Sequence, residues 1–349
     1  MSPLKLIPLL FVVLCMAQSA TPQTPPLPEN PQPAGSKSSE SDFSHARRLS
    51  QQGKYNEAIA ELQTLAAEKP APEHIAREFG IAYYQEGNYL KAAEYLTTAR
   101  IEDPKDNEAI QLLGLSYYLA GRPADAIPYL EKVQSWFPRA NVDAAYILGI
   151  CYLQTKDYPK ARMAFARMFN VPADSAASYL FTARMLLRQE FDPVADEYAQ
   201  KAAALDPTLP GAHQLLGELY LYKSRVPEAI EQLQKELTLN PASATTYYKL
   251  ADAYSRIQKF DDAERLLQRS IWLDATSTGP YILMGKVLGK KGEFELAVRA
   301  LRHAATMDPN NPMTHHLLGQ TYRDMGMKEE AETELKTAEQ LRTKQDSHP

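Results

Sequence analysis

The chain has 349 residues, a formal net charge of −5 and 23% charged residues, a balance that gives no electrostatic footprint for nucleic acid. Two cysteines cannot make a disulfide framework. Length alone suggests two or three domains, but the internal periodicity described below replaces that expectation, because a repeat array grows by adding units.

The first element, residues 1–20, reads as a secretory signal. Lys5 supplies a positive start, Leu9 to Ala17 a short apolar run, and Ala17 and Ser19 the small residues that suit cleavage. The run falls short of the roughly 18 to 20 residues a membrane-spanning helix needs. Export to the periplasm or the extracellular space is expected, with an uncleaved N-terminal anchor as the alternative. Lipidation at Cys15 would need a small residue before it, and Leu14 stands there. Residues 21–41 carry Pro22, Pro25, Pro26, Pro28, Pro31 and Pro33. Proline removes backbone donors and favours extended geometry, so this stretch reads as a disordered, semi-rigid tether.

From there to residue 345 one pattern recurs at a spacing of thirty-four residues, with one extra residue, Asn141, before the fourth unit. In residues 107–140, Ile110, Leu113, Gly114 and Tyr117 make one helical stripe, and Ala126, Leu130 and Val133 make a second. Gly121 breaks the two and Pro138 closes the unit. Each unit is thus helix A, turn, helix B. One hairpin cannot bury both stripes, so stacking of hairpins is required. Units begin near Ser39, Glu73, Asn107, Val142, Ala176, Pro210, Ala244, Thr278 and Pro312. Position 8 is always glycine or alanine and position 20 always alanine, from Ala58 to Ala331. Position 11 is tyrosine in Tyr83, Tyr117, Tyr152, Tyr220, Tyr254 and Tyr322.

This pattern resembles the tetratricopeptide repeat family, over nearly all of the chain after the tether. The resemblance implies an all-α, right-handed superhelical solenoid of about nine helix-turn-helix units. Asp103-Pro104, Asp206-Pro207, Asn240-Pro241 and Asp308-Pro309 stop helix B independently, since the residue before proline is pushed out of helical geometry. Pro159, Pro193 and Pro227 fall in the first turn of helix B, where a missing donor costs little. Pro128 lies one turn inside and is expected to kink or shorten its helix. Repeat 5, with Thr182 and Ala183, is the most divergent interior unit. Repeat 9 sets Glu332 and Glu339 on its outer face, as a terminal cap requires, and residues 346–349 are expected to fray. Trp136 and Trp272, near the ends of helix B, are expected to seal contacts between hairpins.

No catalytic residue, cofactor or metal is expected. Met284 to Gly292 looks like a phosphate loop but has the wrong spacing and no hydroxyl after the lysine. His315 and His316 are adjacent and cannot form a metal pair on one helix face, and His213 and His315 occupy a core slot. Cys151 has no partner histidine nearby and reads as a buried thiol.

What the resemblance implies for function is that helix A lines a concave face where partner segments bind. Positions 2, 5, 9 and 12 then give a groove that is apolar over repeats 2 to 5 and polar over repeats 6 to 9. The expected partner-binding residues are Ile81, Tyr84, Leu115, Tyr118, Tyr146, Ile150, Leu153 and Arg184, with Tyr117 turned into the core. Such apolar residues can instead pack within or between hairpins. The family's clamp for a C-terminal carboxylate needs asparagine at position 9, and none is present. The expectation is a non-catalytic scaffold for a protein or peptide segment in the cell envelope. The alternative is a recruiting or regulatory subunit of an envelope enzyme, secretion or polysaccharide-export system.

Overall fold

The computed structural model describes residues 43–136, 142–189 and 193–347. The leader and the tether lie outside the described residues. Eighteen helices and no strand are found among them. They form hairpins in chain order: α1 (Ser44–Gln51) with α2 (Tyr55–Ala66), α3 (Ile75–Glu86) with α4 (Tyr89–Glu102), α5 (Asn107–Leu119) with α6 (Pro123–Trp136), and α7 (Val142–Gln154) with α8 (Tyr158–Met168). The series continues with α9 (Ala176–Gln189) and α10 (Pro193–Leu205), α11 (Ala212–Tyr222) and α12 (Val226–Leu239), and α13 (Ala244–Arg256) and α14 (Phe260–Leu273). It ends with α15 (Thr278–Lys291) and α16 (Phe294–Met307), then α17 (Pro312–Asp324) and α18 (Lys328–Ser347). The chain divides into two compact units, Met1–Ala173 and Asp174–Pro349. The division falls between repeats 4 and 5, next to the unit whose sequence is the most divergent of the interior repeats.

Among the described residues, eight hairpins close in the same way. The residue at position 15 has positive φ in Gly53, Gly87, Gly121, Gly292 and Gly326, and also in Lys156, Ser224 and Gln258. The next amide then reaches back to the carbonyl of position 11, as in Arg122 to Tyr117 at 2.8 Å and Lys259 to Tyr254 at 2.9 Å. That bond satisfies a carbonyl the helix end would leave open. Asn88, Asp106, Asp157, Ser243 and Asn311 cap the following helices with side-chain oxygens.

The small residue at position 8 has a definite partner. A side chain at Gly80, Gly114, Gly149, Gly217 or Gly285 would run into Leu96, Leu130, Phe165, Leu233 or Leu301, the position-24 residue of the same hairpin. All five of these large residues are fully buried. In repeat 5 the pair is Ala183 and Ala199, both fully buried, so volume there is shared differently. Position 11 tyrosines carry a cation over the ring: Lys91 on Tyr83, Arg122 on Tyr117, Lys160 on Tyr152, Arg225 on Tyr220 and Lys259 on Tyr254.

Two expectations are corrected. Helix α6 is not shortened at Pro128 but runs through it for 14 residues, as long as α4 and α12. Trp136 packs against Ile110, Val133 and Ala144, but Trp272 is 72% exposed, with Arg269 stacked on it at 4.2 Å. Helix α18 runs to Ser347, and residues 348–349 lie outside the described residues. Met284 to Lys291 is the second half of α15 and forms no loop. Glu332 and Glu339 are exposed on α18.

Candidate functional site

In the first unit the A helices touch one another, α1 with α3 and α3 with α5, and no comparable contact joins successive B helices. The A helices therefore form the inner, concave side. On that side, between α1, α3 and α5, lies a cavity of about 350 Å³. Its walls include Arg47, Ser50 and Gln51 from α1, Arg77, Glu78, Ile81 and Gln85 from α3, and Glu108 from α5.

An ion-pair network organises this cavity. Glu78 is only 4% exposed, and its carboxylate accepts from Arg47 Nε and Nη2, both at 2.8 Å, and from Arg77 Nη1 at 3.0 Å. Burying that charge is tolerable because two guanidinium groups surround it. Arg77 in turn donates through Nε to Asp106 at 2.8 Å and through Nη2 to Glu108. Asp106 also caps α5 through the amide of Ala109 at 2.9 Å, so the network is tied to the helix ends.

Further along the same side the expected binding residues divide. Ile81, Tyr84, Leu115 and Tyr146 are half-buried, each with surface left to offer. Ile81 also lines the cavity. Tyr84 stands edge-on to Tyr89 at 5.8 Å, and its phenol pKa is raised, first by burial and then by Tyr89. Tyr146 lies 6.3 Å from Phe165. Ile150 and Leu153 are 3% and 5% exposed and belong to the core. Arg184 is exposed, but it belongs to the second unit and donates to the carbonyl of Gly211 at 3.3 Å.

The pair Tyr117 and Tyr118 is reversed from the sequence expectation. Tyr118 is 8% exposed, and its hydroxyl has no hydrogen-bond partner among the described residues. Burial, with Cys151 and Tyr146 beside it, pushes its pKa up to about 12. Tyr117 is half-buried, stacked on Tyr129 at 5.8 Å with Arg122 over the ring. In this repeat Tyr118 is covered by Tyr146 and Cys151 of the next helix A, while Tyr117 keeps part of its ring open beneath the Arg122 cation. Cys151 is fully buried, and burial pushes its thiol up to about 12, so it is protonated and inert at neutral pH.

Arg47 and Ser50 were not read from the sequence, although positions 9 and 12 applied to repeat 1 give both. Glu78 occupies position 6 and carries no periodic signal. His213 and His315, expected in the core, instead bridge: each sets one ring nitrogen on helix B, at Gln232 (2.7 Å) or Glu334 (2.6 Å). The other nitrogen meets Pro207 O or Pro309 O. Among the described residues no group of three or more His, Cys, Asp or Glu is placed to hold a metal, and no helix is long and apolar enough to cross a membrane.

This geometry of stacked helical hairpins defines a class of repeat protein, and the family comparisons agree. Profiles described as tetratricopeptide or TPR repeats match residues 49–115, 217–258, 246–281, 279–311 and 314–345. A profile described as anaphase-promoting complex, cyclosome, subunit 3 matches 83–168. The chain is a tetratricopeptide-repeat protein. Residues 169–216, which hold α9 and α10, fall outside these matches.

No curated protein matches the chain by sequence. Among solved structures it is similar to MamA from Desulfovibrio magneticus RS-1, with 20% identity, covering 50% of this chain and 98% of that one, at a TM-score of 0.45. It is also similar to a chain of the APC/C hetero-tetramer Cut9-Hcn1, with 20% identity, covering 82% of this chain and 56% of that one, at 0.46. A third is YrrB, described as a TPR protein with an unusual peptide-binding site, with 23% identity, covering 48% of this chain and 87% of that one, at 0.41.

Proposed function

We propose that this protein is a non-catalytic scaffold that docks a segment of a partner protein on the concave side of its first unit. The observation that supports this most directly is the row of half-buried side chains Ile81, Tyr84, Leu115 and Tyr146 on successive A helices, beside a cavity of about 350 Å³. Tyrosine suits such a surface, because its ring offers apolar area at low entropic cost while the hydroxyl stays wet. The rigid ion-pair network below it holds α1, α3 and α5 in register, so little ordering is left to the moment of binding. The leader supports a place in the cell envelope, and N-terminal sequencing of the protein from that compartment tests it: a start near Thr21 is expected, and an intact Met1 in a membrane pellet contradicts release.

The site is tested by placing a photo-crosslinking amino acid at Ile81 or Leu115 and, as controls, at the exposed Lys132 and Ser135 of α6. A discrete adduct to one protein from the first pair, absent from the controls, is expected. Equal labelling from both sides of the unit overturns the assignment.

A further inference from the structure

On the outer side of the first unit, successive B helices do not pack closely on one another, and a groove opens between α6 and α8 with α7 at its floor. It holds a cavity of about 350 Å³. Leu148 of α7 and Ala164 of α8 form its buried apolar surface, and Met163 of α8, 47% exposed, forms a wall that can adapt. Lys160 and Arg167 are exposed at its mouth. The volume lies at the small end of the roughly 300 to 1,000 Å³ that ligand pockets occupy.

One residue of this lining is there for no packing reason. Gln134 of α6 is 8% exposed, and its Nε2 is buried with no hydrogen-bond partner among the described residues. Position 28 does not require a carboxamide: repeats 6 and 7 set Leu237 and Ile271 there, each packed against the core of its own unit. An N–H kept dry and unpaired costs folding free energy that a leucine avoids, so the donor calls for an acceptor from outside the chain. The phenol that shares the groove is already engaged, since the Tyr152 hydroxyl donates to Glu131.

We infer that this groove binds a small uncharged molecule with an apolar body and a carbonyl oxygen, the oxygen accepting from Gln134 Nε2 and the body lying over Leu148, Met163 and Ala164. A carboxylate fits less well. Glu131 stands one turn before Gln134 on the same face of α6, and a single neutral donor does not compensate a buried charge. An ammonium group meets a donor at Gln134 and two cations at the mouth. The groove lies on the outer side of the unit, away from the site proposed above, and does not rest on it.

The test is an NMR titration of the isotope-labelled full chain with N-cyclohexylacetamide, beside cyclohexylacetate and cyclohexylammonium. The signals followed are the side-chain amide of Gln134, assigned by its absence from Gln134→Leu, and the methyl group of Met163. Saturable shifts of both are expected with the neutral probe, and binding about tenfold weaker or worse with either charged one. Gln134→Leu should weaken the neutral probe about tenfold or more at the Met163 signal, while melting at or above the parent temperature because the unpaired donor is gone. Absence of a saturable shift, equal binding of a charged probe, or parent-like affinity in Gln134→Leu overturns the inference. So does a leucine variant that melts below the parent, since the donor would then already be satisfied within the protein.

Discussion

Tyr118 and Cys151 show how a single contact between hairpins changes what a residue does. Each has a pKa raised to about 12 by burial, from ordinary values of 10 and 9. In the unfolded chain both lose their protons earlier, so between pH 9 and pH 12 the unfolded state binds fewer protons than the folded one. Stability must then fall as pH rises through that window, by up to roughly 1.4 kcal/mol per pH unit for each group. Denaturant melts from pH 8 to 11 should show this fall, and Tyr118→Phe or Cys151→Ala should flatten it even if either change shifts stability at pH 8. Unchanged slopes would remove the desolvation account. The adjacent Tyr117 and Tyr118 also mark where sequence reading stops. Periodicity within one hairpin shows which positions stay small, but which of two neighbouring tyrosines is covered depends on helix A of the next hairpin, about thirty residues away.

At the scale of the element, the hairpin rests on two contacts of different legibility. The small residue at position 8 was visible as an unbroken run, because no large side chain is tolerated there, but its partner at position 24 emerges only from the structure. Gly149→Ala should cost about 1 to 3 kcal/mol, since the added carbon meets the Phe165 ring inside van der Waals contact. Gly289→Ala, in open space on a helix, should instead stabilise by about 0.5 to 1 kcal/mol. Thermal melts of the two variants shifting in the same direction would contradict the packing assignment. The left-handed turn at position 15 was hidden where Lys156, Ser224 and Gln258 replace glycine, since nothing in those residue types announces positive φ. Gln258→Gly should therefore stabilise the chain by about 1 kcal/mol, read as a higher denaturation midpoint with an unchanged slope.

At the scale of the whole molecule, the repeat count and the helical class could be read from the thirty-four-residue period, while the division near residue 173 shows in the sequence only as the irregularity of repeat 5. The binding surface was legible in part. Ile81, Tyr84, Leu115 and Tyr146 keep exposed area, whereas Ile150, Leu153 and Tyr118 are claimed by the stack itself. The cavity was not legible, because its central residue, Glu78, is buried by arginines from its own helix and from the preceding hairpin. Binding of protein on the inner side of the first unit is tested by the affinity of the crosslinked partner for Tyr84→Ala, measured beside the melting temperature. Partner binding is predicted to weaken by at least about 1.4 kcal/mol, roughly tenfold, while the melting temperature moves by only a few degrees. Parent-like affinity, or a loss of affinity matched by a collapse in melting temperature, would contradict it.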